Sequence, residues 1–436
     1  MKDFDRKLQN LLKWINDDDA ENGQKTSTIS TSSLNQSYVS PALKVKDVSG
    51  SGRGIYTTTS LNSNFKIIKV PHKYLLNFKT VLTHLSKYMN QQNSSIDDDE
   101  ITKIYKAFTR DEILKLTSFQ LLSLYITLEK QRGTNSFWKP FLDSLPSEED
   151  FLYLPIYYPD DILKLLPYTT KQHASKVKSR FEKDYETVIS LLRSKNVDNQ
   201  VITKLIPKSK FLLSWLSINS RCLYMDLPTS HTPEDNFTLA PYIDFINHSD
   251  NEQCVMKIDP SGFHVSTTTN YKEDDQIFFN YGPHSNEFLL CEYGFIIPNN
   301  KWDDINISKQ LIEKLSNLQI EFLKEQNYFD NYTFTSTGLS FRTEVCLAIL
   351  QEKDPKESRK LRALINGNID SEVYKRGSNQ IMKSILNDIR QESNSKQYLE
   401  FANNDDGEDN KLRKQLIGTI YKNRYNLAST YLNSID

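Results

Sequence analysis

Pro241-Tyr242-Ile243-Asp244-Phe245-Ile246-Asn247-His248-Ser249 is one half of the stretch that decides how this chain is read. The other half is Gln276-Ile277-Phe278-Phe279-Asn280-Tyr281-Gly282-Pro283-His284-Ser285-Asn286-Glu287-Phe288-Leu289-Leu290-Cys291-Glu292-Tyr293-Gly294-Phe295. Polar side chains set inside apolar runs are costly to bury unless something uses them. Asp244, Asn247, His248, Tyr281 and Tyr293 all lie in such runs, with aromatic and aliphatic neighbours. This is the composition of a narrow pocket for a cationic or amine-bearing guest.

Outward from that stretch the texture changes several times. Residues 4–16 put Leu8, Leu11, Leu12 and Ile15 on one side of a predicted helix. Residues 22–40 are rich in Ser, Thr, Asn and Gln and read as a connector. Short strands follow between 42 and 70: Leu43-Lys44-Val45 alternates, Ile55-Tyr56-Thr57-Thr58-Thr59 is β-branched, and Phe65–Val70 follows a polar turn. Between about 72 and 218 the pattern is helical, with stripes such as Leu121, Leu124, Tyr125 and Leu128 and prolines as breaks. Strand texture returns at 252–258, 262–268 and 276–281. From Asp303 a helix is predicted through Ile307, Leu311, Leu315, Leu318 and Phe322, with further helices at 342–351, 371–390 and 411–433. The chain is therefore expected to be α+β. An N-terminal helix and connector (1–40) precede a β-rich core (41–298) split by the helical insertion, and an all-helical lobe (299–436) closes the chain.

A chain of 436 residues exceeds what one compact core organises and implies two or three folding units. No apolar run approaches the ~20 residues that cross a bilayer, so no membrane partner is expected. The start, Met1-Lys2-Asp3-Phe4-Asp5-Arg6, has no apolar signal core, and the expected setting is intracellular. Cys222, Cys254, Cys291 and Cys346 share no C-x-C or C-x-x-C spacing, which argues against both a disulfide scaffold and a zinc cluster. No metal is expected. A net charge of −2 argues against direct nucleic-acid binding as the main function. The acidic runs at 17–19, 97–100 and 405–409 read first as solvated loops, and second as lures for a basic protein.

Gly50-Ser51-Gly52-Arg53-Gly54 invites a nucleotide-binding reading, but a dinucleotide fingerprint needs a helix directly after its glycines. β-branched residues follow instead, and that reading fails. What the glycines do permit is close approach of backbone to a ligand.

The Asp-x-x-Asn-His-Ser motif (Asp244–Ser249), combined with Tyr281-Gly282, Asn286 and Glu292-Tyr293-Gly294-Phe295, resembles the SET-domain protein lysine methyltransferases. More narrowly, it resembles the branch typified by the Rubisco large-subunit methyltransferase and the fungal ribosomal-protein and elongation-factor methyltransferases. Ser51–Tyr56, Ser136–Pro146 and Leu11-Leu12-Lys13-Trp14 extend the resemblance over most of residues 1–300. It implies an insert within the SET core, a helical C-terminal lobe that helps hold substrate, and S-adenosylmethionine as cofactor. Carried over by position, Ser51, Gly52 and Arg53 contact the cofactor, Ser51 standing where the family often has an acidic residue. Arg221 lies near cofactor and substrate, its fork suited to the methionine carboxylate. Asn247 and His248 hold the adenine and methionine portions, and Phe295 packs on the adenine. The resemblance makes Tyr281 catalytic, gives Tyr293 the lysine channel and the amine, and sets Asp244 near the substrate lysine.

Methyl transfer from a sulfonium to an amine is an in-line displacement, and the amine must arrive neutral although free lysine titrates near about 10.4. A dry aromatic channel beside positive charge lowers that value. Alignment is then the enzyme's main task. His284, in a Gly-Pro turn, is the weaker candidate for a general base. The expected function is thus a protein-lysine N-methyltransferase acting on a ribosomal protein or elongation factor. It is expected to work as a monomer in the cytoplasm, with the nucleus open. A histidine methyltransferase on the same scaffold and a non-catalytic binding platform are the alternatives. Tyr at 293 weighs against the first, and retention of Tyr281 and Asn247-His248 against the second.

Overall fold

The structure is a computed structural model that describes residues 2–16, 37–48, 52–89, 98–224, 235–251, 254–398 and 407–435. Ser51, most of the expected connector and parts of the acidic runs lie outside the described residues. Two compact units emerge: Met1–Phe151 with Lys176–Gly282, and Leu152–Ser175 with Pro283–Asp436.

The first unit carries the β-structure. Strand Gly52–Thr57 pairs antiparallel with Leu43–Val48, setting Arg53 opposite Asp47 and Ile55 opposite Val45. On its other side it meets the second half of the opening stretch, because Ile277 N–H donates to Ile55 O at 2.8 Å and Thr57 N–H to Asp275 O at 2.9 Å. A second sheet runs in the order Tyr38–Val39, Lys66–Val70, Gly262–Thr267, Cys254–Asp259. Ile67, Ile68 and Val265 are buried in it, whereas Lys66 and Lys257 are exposed. Gly262 is needed where that hairpin crosses the neighbouring strand. Its φ is +132°, and an added Cβ would lie 2.2 Å from Val70 O.

The insertion within this unit delivers a helix to the site. Ser118–Arg132 starts from a capping box between Thr117 and Gln120 and ends at Gly133, with φ of +60°. It packs along Lys208–Arg221 through small residues, and Thr127 Oγ1 donates to Ser214 Oγ at 2.9 Å between them. Hydroxyl-sized neighbours allow close helix approach, and the second helix ends at Arg221.

The second unit is mainly helical, and its largest helices, Lys375–Lys396 and Glu408–Ile435, lie side by side. Leu347, Met382, Leu386 and Ala428 are completely buried among them. The sequence pattern predicts one helix through Ile307 to Phe322, and here the structure differs. Ser308–Ile312 ends, and a new helix, Asn317–Glu325, begins at a Ser316/Gln319 capping box. Leu318 is left 41% exposed, so apolar spacing alone hid a break that the capping residues encode. The lobe also holds a short antiparallel ladder, Ile305–Asn306 with Thr333–Phe334.

Gly262→Ala is expected to destabilise the first unit by about 2–4 kcal/mol, through backbone strain and the clash with Val70 O. Urea unfolding followed by circular dichroism measures the shift, and an unchanged midpoint would remove the crossing argument.

Candidate active site

Asp244 is the electrostatic centre of the site in the first unit. It sits in the short turn Ile243–Phe245, entered through Tyr242, whose φ is +70°. A buried tyrosine held in the left-handed region is a strained arrangement that the surroundings must enforce. The Asp244 carboxyl has no exposure, and burial raises its pKa against the opposing pull of Arg221 and then Arg53. Arg221 Nη1 donates to Asp244 O at 2.7 Å and reaches Oδ2 at 3.4 Å. Two buried polar atoms of this pair, Arg221 Nε and Asp244 Oδ1, have no hydrogen-bond partner among the described residues. One open donor and one open acceptor on this contacting pair suit the two ends of a zwitterionic amino-acid group.

Asn247-His248 forms a two-residue strand running parallel to Phe278-Phe279, with Asn247 opposite Phe278 and His248 opposite Phe279. This pairing brings the two halves of the opening stretch together. Tyr281 N–H donates to His248 Nδ1 at 3.0 Å, which fixes the imidazole as an acceptor at that nitrogen. The Tyr281 hydroxyl donates to Ile246 O at 2.7 Å, and its ring lies 5.0 Å from the His248 ring. Burial pushes the Tyr281 phenol up to about 12. At neutral pH it is therefore a hydroxyl, able to donate and accept hydrogen bonds but not to act as a base.

The glycine loop lies against the same elements. At Gly54 an added Cβ would come within 2.9 Å of Asn247 Nδ2 and 2.4 Å of Gln276 Nε2. Gly52 has φ of +66° and open space where a Cβ would be. Backbone is thus tight on the Gly54 side and accessible at Gly52. Gln276 accepts from the Tyr56 hydroxyl at 2.8 Å, tying the loop's strand to the segment before Tyr281. The structure thus brings together Gly52, Arg53, Arg221, Asp244, Asn247, His248 and Tyr281.

Tyr293 and Phe295 belong to the second unit. Tyr293 ends helix Asn286–Tyr293, and Gly294, at φ +84°, turns the chain with its N–H donating to Leu289 O and Leu290 O. The Tyr293 and Phe295 rings are 6.0 Å apart. The buried Asn286 side chain locks this arrangement. Its Nδ2 donates to Ile297 O and Asp303 Oδ2, both at 2.9 Å, and Oδ1 accepts from Ile297 N–H at 2.8 Å. Asp303 Oδ1 also accepts from Asn286 N–H at 2.8 Å, standing in for an N-cap residue. Arg424 pairs with Glu287 on the same helix. Sequence reasoning missed Asp303, Glu287 and Arg424, and the nearest signal was the Asn at 286 in an apolar helix. His284 stacks on Phe288 at 4.2 Å, a packing role.

The comparisons with known proteins agree with this geometry. The SET domain family matches residues 52–282, and the Ribosomal lysine N-methyltransferase 2 C-terminal domain family matches 303–434. The Saccharomyces cerevisiae protein named Ribosomal lysine N-methyltransferase 2 is 29% identical, covering 91% of this chain and 96% of its own length. The human SET domain-containing protein 4 is 25% identical, covering 79% of this chain and 76% of that protein. The solved structure of Rubisco LSMT bound to AdoMet aligns over 99% of this chain and 93% of its own, with a TM-score of 0.60 at 17% identity. The SET domain of LSMT bound to lysine and AdoHcy aligns with a TM-score of 0.62 at 16% identity, over 99% of this chain and 91% of that one. These structural likenesses establish the fold.

Burial raises the Asp303 and Asp304 carboxyls from 3.8 to about 6. A carboxyl whose pKa is higher in the folded state favours folding when protonated. That contribution is full below about pH 4 and is lost as the pH rises through about 6. Stability of the second unit is expected to fall across that window, and Asp303→Asn to flatten part of the slope. Thermal unfolding at stepped pH measures it, and equal slopes in parent and variant would contradict the assignment.

Proposed function

The chain belongs to the SET-domain family, and from that premise we propose that it is an S-adenosylmethionine-dependent protein-lysine N-methyltransferase acting on a ribosomal protein. The observation that carries the reading is the open Arg221 Nε and Asp244 Oδ1 beside a protonated Tyr281 held by His248 and Ile246. Arg221 Nε–H would donate to the methionine carboxylate and Asp244 would accept from its ammonium, while Gly52 offers unobstructed backbone. Asn247 and His248 stand next to that loop, where the resemblance assigns them to the cofactor. Bound there, S-adenosylmethionine supplies an electrophilic methyl on a positively charged sulfur. A lysine amine that had passed its proton to water would bond to that methyl as the sulfur–carbon bond broke.

Tyr281 acts by position. Its O–H is committed to Ile246 O, so its oxygen lone pairs face an incoming amine and orient it. Because the phenol stays protonated to about 12, it does not compete for the amine's proton. On the second unit, Tyr293 is read as the amine-binding tyrosine and Phe295 as the adenine contact, both by resemblance. The names of the yeast and fission-yeast relatives, each a ribosomal lysine N-methyltransferase, favour a ribosomal protein over an elongation factor. We further propose that it works on protein as a monomer, in the cytoplasm with the nucleus open. The net charge of −2 supports protein rather than nucleic acid as its partner.

The test is incubation with labelled S-adenosylmethionine and ribosomal proteins from cells lacking this protein, followed by mass spectrometry of the labelled bands. A labelled lysine is expected. Labelled histidine, or cofactor binding without transfer to any protein, would overturn the reading. Tyr281→Phe is expected to lower methyl transfer about 100-fold through lost alignment, with affinity for S-adenosylhomocysteine within about twofold. The alkaline rise in rate should persist in that variant, since the substrate amine and not the phenol titrates there. Full activity in the variant would remove Tyr281 from catalysis.

A further inference from the structure

The side chain of Arg53 leaves the glycine loop and is held on three sides. Its Nη2 pairs with Asp150 at 2.7 Å, and Nη1 donates to Ser144 O at 3.2 Å. The guanidinium lies 5.2 Å from the centre of the Phe4 ring, within cation–π range. Phe4 in turn meets Phe245 edge-on at 6.0 Å, and Phe245 directly follows Asp244. The charge of Arg53 also favours the ionised Asp244 carboxyl. One guanidinium therefore joins four segments of the first unit: the glycine loop, the 144–150 stretch, the N-terminal helix and the Asp244 turn.

Helix Lys2–Asn16 has its own anchor at the far end. Trp14 packs on Tyr74 at 4.7 Å, on Phe137 at 5.2 Å and on Trp138 at 5.8 Å, and Leu11 and Ile15 are buried. Phe4 and Trp14 are separated by about 15 Å along the helix axis. Phe4 is only half-buried, so truncating it takes little from the core that fixes the helix.

We infer that Phe4 and Asp150 are positioning residues for the cofactor: through the Arg53 guanidinium they set the Gly52–Gly54 backbone against Asp244, so the N-terminal helix governs cofactor affinity without touching the cofactor. The inference rests on the reading of this loop as a contact for S-adenosylmethionine. It assigns the Arg53 side chain to the scaffold and leaves its main chain for the ligand. It also makes Phe4 and Asp150 energetically coupled, because each acts on the same planar cation.

Calorimetric titration of the full chain with S-adenosylhomocysteine tests it, using Phe4→Ala, Asp150→Asn, their double variant and Phe4→Tyr. Each of Phe4→Ala and Asp150→Asn is expected to weaken binding about five- to tenfold, the size of one cation–π or ion-pair contact. The double variant should lose less than the product of the two, and Phe4→Tyr, which keeps the ring, should bind within about twofold of the parent. In the transfer assay KM for S-adenosylmethionine should rise while kcat stays within about twofold. A fall in kcat at unchanged KM would mark a loss of folded enzyme and overturn the inference. Equal affinity in parent and single variants would overturn it while leaving the methyl-donor reading intact. Failure of the parent itself to bind would overturn that reading, and the inference with it.

Discussion

A buried carboxylate needs a counter-charge, and in the first unit this need organises the site. Asp244 has lost its water, which pushes its pKa up, and guanidinium groups from two remote parts of the chain oppose that shift. Arg221 arrives on the last turn of a helix that belongs to the insertion. Arg53 arrives on a strand near the start. Removing one partner from such a buried pair costs about 3–5 kcal/mol, because the other charge is stranded. The insertion is therefore more than decoration on a β-core: its helix Lys208–Arg221 supplies part of the electrostatics of the site. The close approach of Ser118–Arg132 through Thr127 and Ser214 fixes where that helix ends.

The same logic explains the spread of the motif in sequence. Asn247-His248 and Phe278-Phe279 are thirty-odd positions apart, yet they pair as parallel strands. Parallel pairing cannot be made by a tight hairpin, so the intervening antiparallel strands Cys254–Asp259 and Gly262–Thr267 serve as the crossover. Once the pairing forms, Tyr281 N–H meets His248 Nδ1 and the phenol meets Ile246 O without further adjustment. A tyrosine proposed to act while protonated gains from this environment. Burial keeps the proton on oxygen, and the acceptor carbonyl fixes where that proton points.

How much of this was legible in the sequence depends on the range of each interaction. Period-two and period-three-to-four patterns gave the strands around 43–70 and 254–267 and the helices after 341, because those signals are local. The helical spacing through Ile307 and Phe322 does not show the break at the Ser316/Gln319 capping box, which starts a second helix. The polar residues in apolar runs, Asp244, Asn247, His248 and Tyr281, were conspicuous for their cost of burial. Phe4 and Asp150 were not. Each is an ordinary residue whose significance comes from reaching Arg53 across 49 and 97 positions respectively, which no local pattern encodes.

Asn286 shows the same limit from the other side. Its place in an apolar helix was visible, but its side-chain partners were not, because Ile297 and Asp303 both lie beyond the Gly294 turn. An amide has two donors and an acceptor, and all are used in binding Ile297 and Asp303. This closed set can hold the helix end and the loop after it in one geometry, a task that a cysteine-bound zinc performs in other small loops. The energetic consequence differs between the two devices. A metal clasp fails when the ligands are protonated, whereas this clasp carries a buried acid that is more comfortable protonated. Burial of Asp303 therefore disfavours its ionised form, and the hydrogen bonds from Asn286 oppose that effect. The Asn286 N–H and Nδ2 donors facing that carboxylate, both aimed at its oxygens, are what keep the ionised form within the fold.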